Sequence, residues 1–175
     1  MPVAVNMQTA ALIVYVVSVA LIDARTHRIP NVLSGAALAA ALTLQSATGA
    51  VGLSNALLGM AAGLLIFLPF YILHAFGAGD VKAMSVVGAF LGLESTLAAA
   101  AATLIAGSII GIGFMIRTAP NASGVMFRLL GLMSAPLSTL RINKRDAYQR
   151  FPYGVAIAVG TTAVVMCNGH LPFIG

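Results

Sequence analysis

Long apolar runs separated by short polar clusters constrain this chain more than any other feature. Of its 175 residues, 60% are hydrophobic and 7% are charged, and the mean hydropathy is +1.02. A soluble domain carries roughly 25% charged residues, so this chain has too few charges to cover a water-exposed surface. The runs do not alternate polar and apolar side chains as barrel strands do, and we therefore expect helical spans. The sequence predicts an all-α, polytopic membrane protein, with residues 1–175 forming one integral-membrane domain.

The apolar runs and their interruptions predict about six transmembrane helices. The first ends at Ile22, has no basic head before it and is long enough to span, so we interpret it as a retained helix and not as a cleaved signal. The fourth is short for a full crossing: it is tilted or of half length, or it continues past Glu94 into the fifth. The remaining spans are predicted at about 31–47, 54–76, 96–116 and 151–167.

Local signals mark the ends of several of these spans. Pro30 stops the chain from continuing as one helix, and Asn31 after it is expected to cap the second helix. Pro69 lies inside the third span and is expected to kink it. We expect a turn at residues 94–96 between the fourth and fifth spans.

The basic residues indicate how the chain is oriented in the membrane. With the N-terminus outside the cytoplasm and six crossings, all nine lysines and arginines fall in three cytoplasmic segments, residues 23–31, 77–82 and 117–152. Such one-sided placement is typical of cytoplasmic loops. The net charge of +5 is therefore explained by basic residues in the cytoplasmic segments, and no nucleic-acid partner is expected. The third segment is compatible with a helix lying in the membrane interface or with an ordinary basic loop.

Two aspartates lie at the same membrane depth in this topology. Asp23 and Asp80 both fall at cytoplasmic ends of spans, whereas Glu94 falls on the opposite face and Asp146 in the basic segment. Ionisable groups at the edge of the hydrocarbon layer usually face protein or water. Two close carboxyl groups that share a proton can hydrolyse a peptide, because one takes a proton from water while the other donates one to the scissile carbonyl. The alternative for Asp80 is an ordinary charged cap at a helix break.

Other catalytic chemistries have less support in the sequence. There is no Gly-x-Ser-x-Gly motif, and His27, His74 and His170 do not have the spacing of zinc ligands. Cys167 is the single cysteine, which excludes an internal disulfide and a multi-cysteine zinc site. We therefore expect no metal and no cofactor, and we interpret His74 as a polar contact between helices or a supporting residue.

The two aspartates lie in segments that resemble the motifs of the type IV prepilin peptidases, a family of intramembrane aspartyl proteases. Residues 23–31, Asp-Ala-Arg-Thr-His-Arg-Ile-Pro-Asn, look like the first motif, and residues 77–82, Gly-Ala-Gly-Asp-Val-Lys, look like the second, with its Gly-x-Gly-Asp signature. Residues 152–154, Pro-Tyr-Gly, are similar to the element that opens the family's last helix. The short chain resembles the minimal CpaA/TadV-type enzymes of the tight-adherence (Flp) pilus.

The resemblance implies a reaction, a substrate and a set of site residues. It implies cleavage of the basic leader of a prepilin or pseudopilin at the cytoplasmic face of the inner membrane, with Asp23 and Asp80 as the catalytic pair. Substrate-binding or supporting roles are expected for Gly77, Gly79, Lys82, Arg28, Pro30 and Asn31. Larger members methylate the new N-terminus and carry a zinc-binding insertion with two cysteine pairs. Because this chain has one cysteine, we expect cleavage without methylation.

Several alternatives stay open at this point. The basic residues Arg25, Arg28 and Lys82 suit contacts with the substrate or with membrane lipid phosphates. A small proton- or cation-coupled transporter, or a non-catalytic assembly subunit, would also explain acids in a membrane protein. Neither acid lies near midspan and no inverted repeat is visible, which favours the peptidase. The sequence does not determine the oligomeric state.

Overall fold

The computed structural model describes residues 2–49, 51–73, 76–118 and 153–168, and of residues 2–6, 114–118 and 168 it describes the backbone alone. Within these ranges the chain forms six helices and no strand. The helices are α1 (Pro2–Thr26), α2 (Asn31–Thr48), α3 (Leu53–Ile72), α4 (Ala78–Leu91), α5 (Leu93–Thr118) and α6 (Tyr153–Asn168). The predictions for His74, for the basic segment beyond residue 118 and for Pro152 lie outside the described residues.

Three helices in the described part of the chain are long and apolar enough to cross a membrane. These spans are Met7–Thr26, Leu53–Ile72 and Leu93–Gly113, and Tyr153–Cys167 is a shorter apolar helix. Large apolar side chains on these helices point away from the protein, among them Val14, Leu65 and Ile105, each more than 60% exposed. An outward apolar face matches hydrocarbon as the surrounding solvent. The predicted fold class, an all-α polytopic membrane protein, is confirmed.

The Cα positions group into two compact units. The first comprises residues Met1–Gly107 and Pro152–Gly175, and it contains α1 to α4, most of α5 and α6. The second comprises Ser108–Phe151, of which the described part is the end of α5. The single-domain organisation stays a prediction.

The break between the fourth and fifth helices lies earlier than predicted. Gly92 ends α4 with φ +76°, and Glu94 lies in the first turn of α5, so the turn expected at residues 94–96 is wrong. Glycine takes a positive φ without steric cost, which makes Gly92 and not the polar residues after it the point where the direction changes. The Asn55 side chain accepts the Leu93 N–H at 2.9 Å and so supports the start of α5. Of the alternatives for the fourth span, the half-length helix is correct, since α4 has 14 residues.

The expected cap of the second helix is also wrong. Pro30 occupies the N-cap position with an extended backbone, φ −63° and ψ 132°, and Asn31 is the first helical residue. No side chain caps this helix start. The Asn31 side chain accepts a hydrogen bond from Lys82 Nζ at 2.9 Å, so its carbonyl oxygen serves a contact between segments.

Helix α4 is the centre of the first unit. It packs against α1, α2, α3 and α6, and of residues 80–90 all but Lys82 are buried. Its contact with α3 is backbone to backbone, because a Cβ at Gly88 would meet the Gly59 carbonyl and a Cβ at Gly63 would meet the Met84 carbonyl. Gly59 and Gly63 form a Gly-x-x-x-Gly pair, a spacing that lets membrane helices approach closely.

The C-terminal end of α4 is closed by a buried glutamine. Gln45 of α2 is 1% exposed, and its Nε2 donates to the Phe90 carbonyl at 3.2 Å and lies 3.5 Å from the Ala89 carbonyl. Its Oε1 accepts the Val51 N–H at 3.1 Å. The last carbonyls of a helix have no partner within it, so this side chain allows α4 to end inside the protein.

Candidate active site

Asp80 lies in the first turn of the buried helix α4. It is 8% exposed, and its Oδ2 accepts the N–H of Gly77 at 2.9 Å while its own N–H donates to the Gly77 carbonyl at 3.1 Å. The alternative of a charged helix cap is therefore correct as a description of the geometry. It does not exclude catalysis, because the same bonds hold the carboxyl group in one orientation at the start of a rigid helix.

Asp23 lies in the last turn of α1, a helix that packs against α4. It is 6% exposed, and its Oδ2 accepts the N–H of Gly154 of α6 at 2.8 Å. Its carbonyl accepts the N–H of His27, which has a left-handed backbone with φ 50°, beyond the end of α1. The imidazole of His27 also interacts electrostatically with the Asp23 carboxyl group. Asp23 is thus held from its own helix end and from α6.

The segment between α1 and α2 is attached to the first turn of α4. A Cβ at Gly79 would lie 3.1 Å from the Cβ of Ile29, so Ile29 rests directly on that glycine. Lys82 Nζ donates to Asn31 Oδ1 at 2.9 Å on the exposed side of the same contact. These contacts fasten the chain just after Asp23 to the helix that carries Asp80.

Four of the six predicted supporting residues contact Asp80 or join α4 to the segment between α1 and α2, and two do neither. Gly77 contacts Asp80 directly, while Gly79, Lys82 and Asn31 join α4 to the segment between α1 and α2. The other two, Pro30 and Arg28, are exposed and lie in that segment without a described contact to either aspartate side chain. The Arg28 carbonyl accepts the Thr26 hydroxyl at 3.0 Å, which shapes the turn after α1.

Tyr153, at the start of α6, completes the surroundings of Asp80. It is 7% exposed, and its ring centroid lies 4.1 Å from that of Phe76 and 6.2 Å from that of Phe67. Its phenol interacts electrostatically with the Asp80 carboxyl group. Its hydroxyl lies 3.4 Å from the Thr103 carbonyl, and its ring lies so close to Gly107 that a Cβ there would overlap it.

The first turn of α6 therefore interacts with both aspartates: Gly154 donates a hydrogen bond to Asp23, and Tyr153 interacts electrostatically with Asp80. Sequence reasoning did not include these two residues among the site residues. The signal that could have found them is the Pro-Tyr-Gly element at residues 152–154, which contains no carboxyl group and no imidazole. Glu94 lies beyond the other end of α4, a helix of 14 residues that is about 20 Å long at 1.5 Å per residue.

Two buried carboxyl groups on packed helices, each with one oxygen bonded to a glycine N–H, are the chemistry that this region offers. The model of the type IV leader peptidase family matches residues 10–116, which include both aspartates and all six predicted supporting residues. The chain belongs to the type IV leader peptidase family. No curated protein and no solved structure matches the chain.

Membership confirms the resemblance of the aspartate motifs and makes this protein a membrane peptidase. The family implies prepilin substrates in general. The match ends within α5, so α6 and its contacts with the two aspartates come from the structure alone. The Flp-pilus subtype stays a prediction.

Proposed function

We propose that this leader peptidase cleaves the basic leader of a prepilin or pseudopilin at the cytoplasmic face of the inner membrane, with Asp23 and Asp80 as the catalytic pair. The observation that supports this most directly is the interaction of both aspartates with α6: Gly154 donates a hydrogen bond to Asp23, and Tyr153 interacts electrostatically with Asp80. Two buried acids gathered around one helical turn are an arrangement that salt bridging or lipid anchoring does not need.

The proposed reaction is the addition of water to the scissile peptide bond. The ionised aspartate takes a proton from water, the water oxygen bonds to the carbonyl carbon, and the protonated aspartate donates its proton to the carbonyl oxygen. The resulting diol then breaks at the C–N bond: one hydroxyl returns its proton to an aspartate and the other aspartate protonates the leaving nitrogen. The products are a carboxylic acid and an amine, and the pair regains its single shared proton.

The surroundings of the pair suit an extended substrate. Gly77 is exposed and Gly79 half-buried, so the backbone at the start of α4 is open to a chain passing beside Asp80. Lys82 is bonded to Asn31 and is proposed to hold the site together. Arg25 and Arg28 are exposed. Because the leader itself is basic, we assign these two arginines to lipid phosphates and not to the substrate.

The test is cleavage of a prepilin from the same genome by purified protein in lipid nanodiscs, followed by mass spectrometry of the products. Asp23→Asn and Asp80→Asn keep the size of the side chain but cannot exchange a proton, and each should lower the cleavage rate about 10²–10⁴-fold. The double variant should be little slower than either single one, because groups that act as a unit are not additive. Glu94→Gln, an exposed acid beyond the far end of α4, is the matched control and should cleave normally.

Two results would contradict the proposal. One is maturation at the normal rate by Asp80→Asn present at the normal level in membranes. The other is a methylated product N-terminus, which would contradict the part of the proposal that limits this enzyme to cleavage.

A further inference from the structure

The hydrogen bond between Gly154 and Asp23 joins two positions 131 residues apart in the sequence. Both residues are buried, and the N–H of Gly154 points at Asp23 Oδ2 with a donor-to-acceptor distance of 2.8 Å. Through this bond a backbone group of α6 reaches a candidate catalytic side chain.

The position of Gly154 in its helix makes this donor available. Helix α6 begins at Tyr153, so Gly154 lies in its first turn, where backbone N–H groups have no acceptor within the helix. A carboxylate supplies the missing acceptor, and a bond of this kind to an ionised group is stronger than one between neutral groups. The bond therefore gives the Gly154 N–H an acceptor and at the same time orients the carboxyl group of Asp23.

The contact also requires that residue 154 have no side chain. A Cβ there would lie 2.8 Å from the Cβ of Asp23, 3.0 Å from its Oδ2 and 3.2 Å from its Cγ. Carbon atoms in contact are separated by about 3.5–4.0 Å, so any larger residue would displace the Asp23 side chain. The conformational freedom of glycine plays no part here; what matters is the space.

The turn that carries Gly154 is held in place by its neighbour. The Tyr153 ring packs on Phe76, which itself packs on the rings of Phe67 and Phe70. The same ring lies against Gly107, where a Cβ would overlap it. Movement of Gly154 would thus require the aromatic cluster beside Asp80 to open.

We propose that Gly154 is a positioning residue for Asp23: its N–H holds the carboxyl group in the orientation that catalysis requires, and α6 is therefore part of the active site. This inference rests on the proposed function, since it assigns Asp23 an orientation that matters for cleavage. It extends the site to a helix that lies outside the residues matched by the family.

Two changes at residue 154 separate the hydrogen bond from the space it needs. Gly154→Ala keeps the N–H and adds a Cβ. Replacement of Gly154 by glycolic acid, introduced by cell-free synthesis into nanodiscs with a chemically acylated tRNA, exchanges the N–H for an ester oxygen and adds no atom. Gly35→Ala is the matched control, because Gly35 lies on an exposed face of α2 where a Cβ meets nothing within 4 Å. Folding of each protein is checked by far-UV circular dichroism and by its elution as a single species.

Both changes at residue 154 should lower kcat about 10–100-fold, the effect expected when a hydrogen bond to a charged group is lost. The ester removes the donor, and the alanine Cβ displaces the Asp23 side chain from it. KM should stay within about threefold of the wild-type value, because Gly154 acts through Asp23 and not on the substrate. Gly35→Ala should match the wild type in both constants.

Wild-type kcat in the folded ester protein, or a loss confined to KM, would overturn the assignment of Gly154 while Asp23→Asn remains inactive. If Asp23→Asn itself cleaves at the normal rate, the proposed function fails and this inference fails with it. The two failures are thus told apart by one variant in the same assay.

Discussion

Gly88→Ala tests whether close packing of α3 on α4 stabilises the fold. A Cβ at Gly88 would overlap the Gly59 carbonyl oxygen and would lie 2.5 Å from its carbon and 3.0 Å from the Met60 nitrogen. These are backbone atoms, so no change of rotamer relieves the overlap and the two helices must separate. Restoring an ordinary carbon contact from 2.5 Å requires a shift of about 1 Å.

The expected effect combines two opposing contributions to the free energy of unfolding. Overpacking a closely packed core costs about 1–3 kcal/mol. Alanine in place of glycine favours a helix by about 1 kcal/mol. Gly35→Ala in α2 should show only the gain from the higher helix propensity of alanine, because a Cβ there meets nothing within 4 Å. The difference between the two variants therefore isolates the overpacking and should be about 1–3 kcal/mol.

The assay is thermal unfolding of the purified protein in detergent, followed by circular dichroism or by loss of the folded peak in size exclusion after heating. A change of 1 kcal/mol shifts the melting temperature of a chain of this size by about 2–4 °C, so Gly88→Ala should melt about 2–12 °C below Gly35→Ala. Its kcat should also fall, because α4 carries Asp80. Equal melting temperatures for the two variants would refute the backbone contact between α3 and α4.

Three further predictions concern orientation, chemistry and the segment after α1. A reporter active only in the cytoplasm should work when fused after His27 and fail after Gly49, and the reverse result would contradict the orientation inferred from the basic residues. Cleavage should survive strong chelators, whereas activity lost in chelator and restored by added zinc would mean that the two-aspartate chemistry is wrong. Gly79→Ala should lower kcat several-fold by displacing Ile29, and Ile29→Ala should restore part of it, with a coupling free energy of about 0.5–3 kcal/mol; additive effects would show that the contact is unimportant.

The order and nature of the helices follow from local sequence signals. Apolar runs without charges predict spans because hydrocarbon is their solvent, and the confirmed fold class rests on that property alone. The same holds for the start of α2 after Pro30, where the ring excludes a continuous helix. Both aspartates were predicted as candidate catalytic residues from the sequence because an acid at the end of an apolar run is costly and therefore conspicuous. The type IV leader peptidase match includes both positions.

Two predictions from local signals were wrong: the turn at residues 94–96 and the helix cap at Asn31. Polar residues at 94–96 look like a turn, yet the chain turns at Gly92 because its left-handed backbone is easily reached by glycine. Asn31 looks like a helix cap, yet its side chain bonds to Lys82, which is 51 residues away. A cap contributes only about 1 kcal/mol, so a tertiary contact can replace it.

Only the tertiary structure brings α6 to the two aspartates. The bond from Gly154 to Asp23 and the electrostatic interaction of Tyr153 with Asp80 depend on which helices are neighbours and on how each is rotated. In a membrane protein that choice is weakly encoded along the chain, because side chains that face lipid and side chains that face the core are equally apolar. Small residues such as Gly59, Gly88 and Gly154 determine which helices pack together, because they allow a close approach of the facing helix. These close contacts exist only in the folded protein.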